Sequence, residues 1–148
     1  MGFFSSLRVS ASGLSAERLH MDVISNNLAN ANTTRTPEGG PYKRQRVVFA
    51  PRTQRPLFYV PNMPAQEVNF LGNGVRVLNI VPDQSPAKRI YDPNHPDANA
   101  EGYVMMPNIN PVTEMVDMIS ATRAYEANVA AINAATSMAL KALEIGRV

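Results

Sequence analysis

The chain has 148 residues, of which 45% are hydrophobic and 18% are charged, and its formal net charge is +2. These values suit about one globular domain with a modest core. The sequence contains no cysteine, which excludes a disulfide framework, thiolate catalysis and zinc sites with cysteine ligands. The N-terminus lacks the cationic and apolar regions of a secretory signal peptide, and no apolar run is long enough to predict a membrane span.

The positions of the prolines divide the chain into three segments. All twelve lie between Pro37 and Pro111, and a proline inside a helix costs roughly 3 kcal/mol. We therefore predict an N-terminal helical segment at 1–36, a non-helical segment at 37–109 and a C-terminal helical segment at 110–148.

The first helix is expected over about residues 3–32, with apolar side chains that recur every seven residues. The members of this repeat and their partners are Leu7, Leu14, Met21, Ile24, Leu28 and Ala31. Serine and glycine residues between them lower the helix propensity, so this helix should be stable only when another helix covers its apolar side. The C-terminal helix has the same repeat and is the expected partner.

The end of the first helix is rich in asparagine, in the stretch SNNLANANTT at 25–34. Asparagine is a poor helix former because its amide competes for nearby backbone groups. A buried amide between helices disfavours every register that leaves its hydrogen bonds unmade. We therefore predict that Asn26, Asn27 and Asn30 set the register of helix packing. Asn128 and Asn133 on the C-terminal helix are their candidate counterparts.

The segment between the helices is predicted to consist of strands and turns. Residues 42–49 and 74–81 are rich in valine and isoleucine with partial alternation, which is typical of strands. Four prolines within 50–64 indicate a loop or a sheet edge. A hairpin turn is expected at 69–74, and a turn cluster at 91–99 precedes a further short strand. The expected result is a small antiparallel β module.

The C-terminal helix is predicted to run from Pro111 to about Ile145. Asn110 is a favourable N-cap, and proline suits the first helical position because its missing N–H has no helical partner there. Glu114 in the first turn favours the helix dipole. Gly146 is a suitable stop. At 1.5 Å per residue this helix is roughly 50 Å long, which is more than a chain of this size needs to cover its own strands.

Two heptad seams run along this helix. The first seam is Val112, Met115, Ile119, Thr122, Glu126, Val129, Asn133, Thr136, Leu140 and Leu143. The second seam is Met118, Ala121, Tyr125, Asn128, Ile132, Ala135, Ala139 and Ala142. Two adjacent seams form a broad face that suits packing against more than one neighbour.

Together these elements predict an α+β fold, with long terminal helices that pack as a coiled-coil-like pair around a small central β module. The residues expected to pack between subunits lie on both helices. On the N-terminal helix they are Leu7, Leu14, Met21, Ile24, Asn26, Asn27, Leu28 and Asn30. On the C-terminal helix they are Met115, Ile119, Tyr125, Asn128, Val129, Ile132, Asn133, Leu140 and Leu143.

A catalytic or metal site would have to be built on His95, which is flanked by Asp92 and Asp97. The other histidine, His20, lies on the first helix, and no metal-ligand motif is present. Aspartate and histidine in a proline-broken turn more simply accept hydrogen bonds from their own backbone. We therefore predict no catalytic residue, metal or cofactor.

A basic segment lies between positions 35 and 55, where six basic residues accompany Glu38 as the one acid. The six are Arg35, Lys43, Arg44, Arg46, Arg52 and Arg55. With Tyr42 and Phe49 between them, they could form a platform for single-stranded nucleic acid, although no known motif for such binding accompanies them. The other interpretation is contact with acidic neighbouring subunits or with an anionic polymer.

Both ends of the chain resemble a known family. The stretch SASGLSAERLHMDVISNNLANANTT (10–34) resembles the N-terminal signature of bacterial flagellar axial proteins, the rod and hook subunits. The stretch NPVTEMVDMISATRAYEANVAAINAATSMALKALEIGR (110–147) resembles their C-terminal helix, and YDPNHPDANAEGYVMMPNINPVTEM (91–115) is similar to the short proximal-rod members. Hook and distal-rod relatives have a glycine–aromatic pair where this chain has TTRTPEGGPYKRQ (33–45), which also fits the proximal-rod type.

This resemblance implies a structural subunit of the proximal rod, the drive shaft of the flagellar basal body, which polymerises through its terminal helices to transmit torque. It implies other rod proteins and copies of the same chain as partners, together with the membrane-ring protein or its adaptor. It further implies passage through the type III export apparatus without a cleaved signal peptide, and a final location in the periplasmic part of the basal body. Neither nucleic acid nor a transmembrane segment is expected.

Overall fold

A computed structural model describes residues 3–52 and 73–146. In that part of the chain, helix α1 (Phe3–Ala29) is followed by strands β1 (Gln45–Pro51), β2 (Val75–Pro82), β3 (Lys88–Tyr91) and β4 (Tyr103–Met106), and then by helix α2 (Pro111–Ile145). Two long helices thus flank a small region of short antiparallel strands. The predicted α+β fold is confirmed.

Helix α2 has the predicted ends, with Asn110 as a hydrogen-bonding N-cap and Gly146 after the last helical residue in a right-handed conformation, φ −79°. The Asn110 side chain accepts a hydrogen bond from the backbone N–H of Val112 at 3.1 Å, and Pro111 occupies the first helical position. At the other end the N–H of Gly146 donates to the carbonyl of Ala142. The helix between them is 35 residues long, roughly 50 Å at 1.5 Å per residue.

Helix α1 ends three residues earlier than predicted, and the asparagines explain why. Asn30 donates from its side-chain amide to the carbonyl oxygen of Asn26 at 2.9 Å, and also to the Asn26 side chain. Its oxygen accepts from the Thr33 hydroxyl. Such local bonds compete with the next helical hydrogen bonds. The chain therefore leaves the helix after Ala29 through a turn.

The two helices pack antiparallel against each other. The contact pairs Asn27 with Glu114 at one end, and the Thr122 hydroxyl lies 3.6 Å from the Met21 sulfur near the middle. Further along, Gly13 lies so close to Asn128 that a Cβ on the glycine would stand 2.9 Å from the amide oxygen. Small residues thus let the helices approach closely, as the predicted helix partnership requires.

The second heptad seam of α2 supplies the side of the helix that packs within the subunit. Ala121 and Ala135 are buried, while Tyr125 and Ile132 are half-buried. The resulting core is small and consists of side chains from both helices and from the segment between them. Its buried apolar members are Ala16, Val23, Ile24, Val104, Ile109, Ala121 and Ala135.

The strands form two antiparallel hairpins, β1 with β2 and β3 with β4. The predicted strands at 42–49 and 74–81 are confirmed as elements, although β1 begins later and extends to Pro51, at the end of a two-stranded sheet. The pairing shifts register between Val48 and Phe49. Most of the predicted loop at 50–64 and the predicted turn at 69–74 lie outside the described residues.

The β1–β2 hairpin lies along α1, and hydrogen bonds attach it near each end of the interface between them. The N–H of Val75 donates to the Ser12 hydroxyl at 3.1 Å, and Asn27 bonds to the backbone of Gln45. Between these points the rings of His20 and Phe49 make an edge contact, with centroids 5.4 Å apart. Gly74 has a positive φ of 84°, and a Cβ there would collide with Ser12.

The β3–β4 hairpin carries the predicted turn cluster. Asn99 accepts hydrogen bonds from the N–H groups of Glu101 and Tyr103, and the Thr34 hydroxyl donates to Asp97 at 2.7 Å. This last bond ties the turn to the chain that follows α1. The prediction of turns at 91–99 ahead of a short strand is confirmed.

Among the described residues, neither helix combines the length and the apolar character that a membrane crossing requires.

Enlarging a small residue in the helix contact should destabilise the subunit. We expect Ala135→Leu to lower the free energy of unfolding by about 1–3 kcal/mol, because the added atoms must fit where α1 packs closely. Urea unfolding monitored by circular dichroism measures this. The neighbouring Ala134 is exposed, so Ala134→Leu is the control and should change stability by less than about 0.5 kcal/mol. Equal effects of the two substitutions would contradict the observed helix packing.

Candidate assembly surface and polar junction

The predicted packing residues fall into three groups in the structure. Ile24 and Asn27 are buried within the subunit. A second group is half-buried: Leu7, Leu14, Met21, Leu28, Asn30, Tyr125, Asn128, Val129 and Ile132. A third group is exposed: Asn26, Met115, Ile119, Asn133, Leu140 and Leu143. Only the third group is fully available to another molecule.

Five large apolar residues of the first heptad seam, near the two ends of α2, are exposed, while Val129 in the middle is half-buried. Val112, Met115, Ile119, Leu140 and Leu143 have exposed fractions between 48% and 68%. We call these five residues the outer seam. Isolated exposed apolar residues are common, but a row of them along one helix face marks a surface that another protein covers. Helix α2 therefore uses the second seam and the middle of the first seam inside the subunit, and it leaves the outer seam near its two ends uncovered.

A polar junction lies at the end of this helix pair nearest the β module. We use this name for Asn27, Tyr42, Arg44, Glu114 and Asp117. Its centre is Glu114, whose side chain is 1% exposed. One carboxylate oxygen of Glu114 accepts from Arg44 Nε at 2.6 Å, and the other accepts from the Asn27 amide at 3.1 Å. Arg44 also donates to Asp117, one turn further along α2, at 3.3 Å.

Asn27 uses all the hydrogen-bonding capacity of its side chain in this junction. The amide nitrogen donates to the carbonyl of Gln45 at 2.8 Å and to Glu114 at 3.1 Å. The amide oxygen accepts from the N–H of Gln45 at 2.9 Å and from the Tyr42 hydroxyl at 3.3 Å. An amide has two N–H donors and two lone pairs, so every one of them is used. Asn27 thereby joins α1 to both β1 and α2.

These contacts correct the predicted role of the asparagines. Asn27 is a packing residue, but its partners are Gln45, Tyr42 and Glu114, and the predicted counterparts Asn128 and Asn133 are not among them. The reason is the antiparallel arrangement, which places the end of α1 beside the start of α2 and places Asn128 beside Gly13. The Asn128 amide donates to the carbonyl of Ala124 on its own helix.

Asn26 and Asn30 were also predicted to set the register, and their side-chain hydrogen bonds join them to each other and to Thr33. Asn26 is exposed, and the side chain of Asn30 bonds back to Asn26. Their hydrogen bonds remain within α1 and the turn that follows it. Within the subunit, these two residues help to end α1, and their role in packing between subunits stays a prediction.

Sequence reasoning missed the role of Glu114, although it identified the residue. An acid in the first turn of a helix is adequately explained by the helix dipole. The signal that distinguishes Glu114 lies elsewhere in the chain: Arg44 is 70 positions away and Asn27 is 87 positions away. Neither distance follows from a local pattern.

The basic segment is less uniform than its sequence suggests. Arg44 is engaged in two ion pairs with α2, and Arg55 lies outside the described residues. Tyr42 bonds to Asn27, and Phe49 packs against His20. Both aromatic residues of the supposed nucleic-acid platform thus have partners on α1, although Phe49 remains 39% exposed.

The side chains around His95 are used to form the turn. His95 Nδ1 accepts from the N–H of Asp97 at 3.1 Å, and Asp92 accepts from the N–H of Asn94 at 3.2 Å. Asp97 accepts from the Thr34 hydroxyl. In the described parts of the chain, no three histidine, aspartate or glutamate side chains are grouped as a metal ion would require.

Comparison with known proteins identifies the class of protein first. Residues 7–35 match the family described as "Flagella basal body rod protein", and residues 100–145 match the family described as "Flagellar basal body rod FlgEFG protein C-terminal". These two matches cover the segments that form α1 and α2. The paired helices are therefore the terminal helices of a flagellar axial protein.

Full-length relatives narrow this class further. The chain is 55% identical to the flagellar basal-body rod protein FlgC of Borreliella burgdorferi, with 98% of each chain covered. It is 48% identical to FlgC of Bacillus subtilis and 37% identical to FlgC of Salmonella typhimurium, in both cases over 99% of this chain and the whole relative. The chain belongs to the FlgC family of flagellar basal-body rod proteins.

Membership of this family defines the function at a coarse level. The chain is a structural subunit of the proximal rod of the flagellar basal body, and it is not an enzyme. The resemblance detected in the sequence is confirmed. Nothing in these comparisons favours nucleic-acid binding.

Removing the Asn27 amide should destabilise the subunit strongly. We expect Asn27→Leu to lower the free energy of unfolding by about 3 kcal/mol, because the backbone groups of Gln45 and one oxygen of Glu114 would lose buried hydrogen bonds. Urea unfolding gives the value. Asn26→Leu is the matched control, since Asn26 is exposed, and it should change stability by no more than about 0.5 kcal/mol. A well-tolerated Asn27→Leu would show that the junction contributes little to stability.

The junction should also make stability depend on alkaline pH. Burial, and then the negative charge of Glu114, raise the pKa of Tyr42 above its ordinary value of 10.0. The folded state therefore favours the neutral hydroxyl, and this stabilisation is complete below the unfolded-state pKa and is lost as pH rises through the folded-state pKa. We expect stability to fall less steeply with alkaline pH in Tyr42→Phe than in the natural chain. Identical pH profiles would exclude this contribution.

Proposed function

We propose that this rod subunit polymerises by packing the outer seam of α2 against the terminal helices of neighbouring rod subunits, including copies of the same chain. The observation that supports this proposal is the exposure of five large apolar residues along one face of a 35-residue helix. The proposed function of the resulting tube is to act as a drive shaft that transmits torque for motility.

The energetics of the outer seam favour such an assembly. Burying one valine, leucine, isoleucine or methionine side chain contributes about 1.5–3 kcal/mol. Five of them supply enough stabilisation to offset part of the entropic cost of association. An open helical assembly needs an interface between two different surfaces of each subunit. A long helix with one free face offers a surface that many neighbours can share along its length.

We further propose that the three segments of the chain have different structural roles. Segments 1–36 and 110–148 form the assembly helices, and segment 37–109 is a lateral module held on them by the polar junction and by Ser12. The exposed basic residues of the 35–55 segment, such as Arg46 and Arg52, face acidic surfaces of neighbouring subunits. This orientation agrees with the slightly acidic balance of the remaining chain.

We infer that the finer partners and the route of the subunit follow its relatives' role as rod proteins. The proposed partners are other rod proteins and the membrane-ring protein or its adaptor. The proposed route leads through the type III export apparatus to the periplasmic space, without a cleaved signal peptide. The support is the resemblance of the termini to axial proteins.

Placing a charge in the outer seam should block assembly and leave the subunit folded. Leu140 is 62% exposed, so Leu140→Asp should change the stability of the isolated subunit by less than about 1 kcal/mol. In an assembled rod the same carboxylate would be buried without a partner, and we expect motility and rod formation to be lost. Swimming assays and electron microscopy of basal bodies measure these effects.

Leu140→Met is the matched control for this experiment, because it keeps the apolar character and nearly the same volume. It should preserve rods and swimming. Normal motility in the Leu140→Asp strain, with the variant protein present in the basal body, would contradict assembly through the outer seam.

A further inference from the structure

The outer side of the β1–β2 hairpin is uncovered. Phe49 contacts His20 on α1, and side chains alternate along a strand, so Val48 and Arg46 lie on the side away from α1. The cross-strand register adds residues of β2 to the same side, including Leu78 at the register shift. We call the exposed members of this side the hairpin face: Arg46, Val48, Arg76, Leu78 and Val81.

The hairpin face is both apolar and positively charged. Val48, Leu78 and Val81 have exposed fractions of 40%, 56% and 40%. Neither strand contains an acidic residue, and in the described part of the chain neither Arg46 nor Arg76 forms an ion pair. A contiguous exposed apolar surface marks a site that another molecule covers. The uncompensated charge at its edge favours a partner that is acidic as well as apolar.

The turn of the β3–β4 hairpin has the complementary chemistry. No lysine or arginine lies within residues 90–122, whereas Asp97 and Glu101 are exposed in the turn. Tyr91 and Tyr103 are 65% and 41% exposed, and their ring centroids are 5.3 Å apart. We call these four residues the acidic tip. It offers carboxylates to guanidinium groups and aromatic rings to aliphatic side chains.

The hairpin face and the acidic tip of one subunit do not meet each other. Among the described residues, β1 and β2 make no contact with β3 or β4. The Thr34 hydroxyl bonds to Asp97 and so holds the acidic tip beside the chain that follows α1. Glu101 forms no ion pair with any described residue. Both surfaces are therefore available to another molecule, and a second copy of the chain presents the complementary surface to each of them.

We propose that in the assembled rod the hairpin face of one subunit binds the acidic tip of a neighbouring copy of the same chain. This inference rests on the polymerisation proposed above and names a second contact outside the terminal helices. Burial of the aliphatic side chains against the tyrosine rings supplies affinity. Pairing of Arg46 and Arg76 with Asp97 and Glu101 fixes the orientation. Because the two surfaces differ, the contact continues from copy to copy and does not close in a symmetric pair.

The chain contains no cysteine, so introduced cysteines report which surfaces are neighbours. Val48→Cys lies on the hairpin face, and Ala100→Cys lies next to Glu101 in the acidic tip, both at exposed positions. Basal bodies that carry the double variant are isolated and treated with a short bismaleimide, and the products are separated by denaturing electrophoresis. We expect a ladder of dimers and longer multimers, because each copy is linked to the next. Either single variant should give less than about a tenth of that cross-linking, since like surfaces do not meet.

Charge reversal distinguishes the proposed contact from chance proximity. In the double-cysteine chain, Arg76→Glu should lower cross-linking at least about fivefold, because it brings like charges together. Arg89→Glu is the matched control: Arg89 is also an exposed strand arginine, but it lies on the hairpin that carries the acidic tip. Its reversal should leave the yield within about twofold. Adding Glu101→Arg to the Arg76→Glu chain should restore cross-linking to within about twofold of its original yield, because opposite charges face each other again.

Each outcome decides for or against the contact. Rods that form normally without a ladder overturn this inference and leave assembly through the outer seam standing, because the seam is unchanged in every variant. Dimers from either single-cysteine chain overturn it too, as do equal effects of Arg76→Glu and Arg89→Glu or a failure of Glu101→Arg to restore the yield. If the double variant is absent from basal bodies, the two single-cysteine chains are co-expressed with the unsubstituted chain. A dimer that contains both then supports the contact, and its absence, as expected if another protein or an anionic polymer covers the hairpin face, overturns it.

Discussion

The buried carboxylate of Glu114 is the constraint on which the arrangement of this subunit depends. Removing a charged group from water costs several kcal/mol even after the surroundings relax. Its ion pair with Arg44 and its hydrogen bond from Asn27 offset that cost in one geometry only. Such a pair adds little net stability compared with apolar packing, but it excludes alternative arrangements. In this chain it joins the last turns of α1, the start of β1 and the first turn of α2.

Helix α2 combines two surfaces with different physical tasks. The side that faces α1 is built from small residues such as Ala121 and Ala135, which allow close approach. The outer seam carries large apolar side chains that the short hairpins do not cover. A chain of 148 residues has too little other structure to bury both sides of so long a helix. The uncovered face follows from this disproportion, and the proposed assembly with neighbouring subunits would bury it.

Much of the fold could be predicted because it follows from local rules. Proline exclusion and the capping chemistry of Asn110 and Gly146 gave both ends of α2, and valine-rich alternation gave β1 and β2 to within a few residues. The partners of Asn27 could not be predicted, because they depend on how distant elements pack. Periodicity placed Asn27 and Asn128 on helices with matching repeats. It does not show whether those two helices pack parallel or antiparallel. The antiparallel packing decided which residues meet.

The asparagine-rich end of α1 illustrates how one residue type serves different purposes over four positions. Asn30 diverts hydrogen bonds from the helix and helps to end it, Asn26 faces solvent, and Asn27 joins three elements. A leucine at position 27 would satisfy the apolar repeat but none of the four hydrogen bonds. Within the subunit the polar junction determines which elements meet, and in the proposed assembly the outer seam supplies the affinity for neighbours. The groups that join the subunit's own elements are thus separate from those proposed to bind its neighbours.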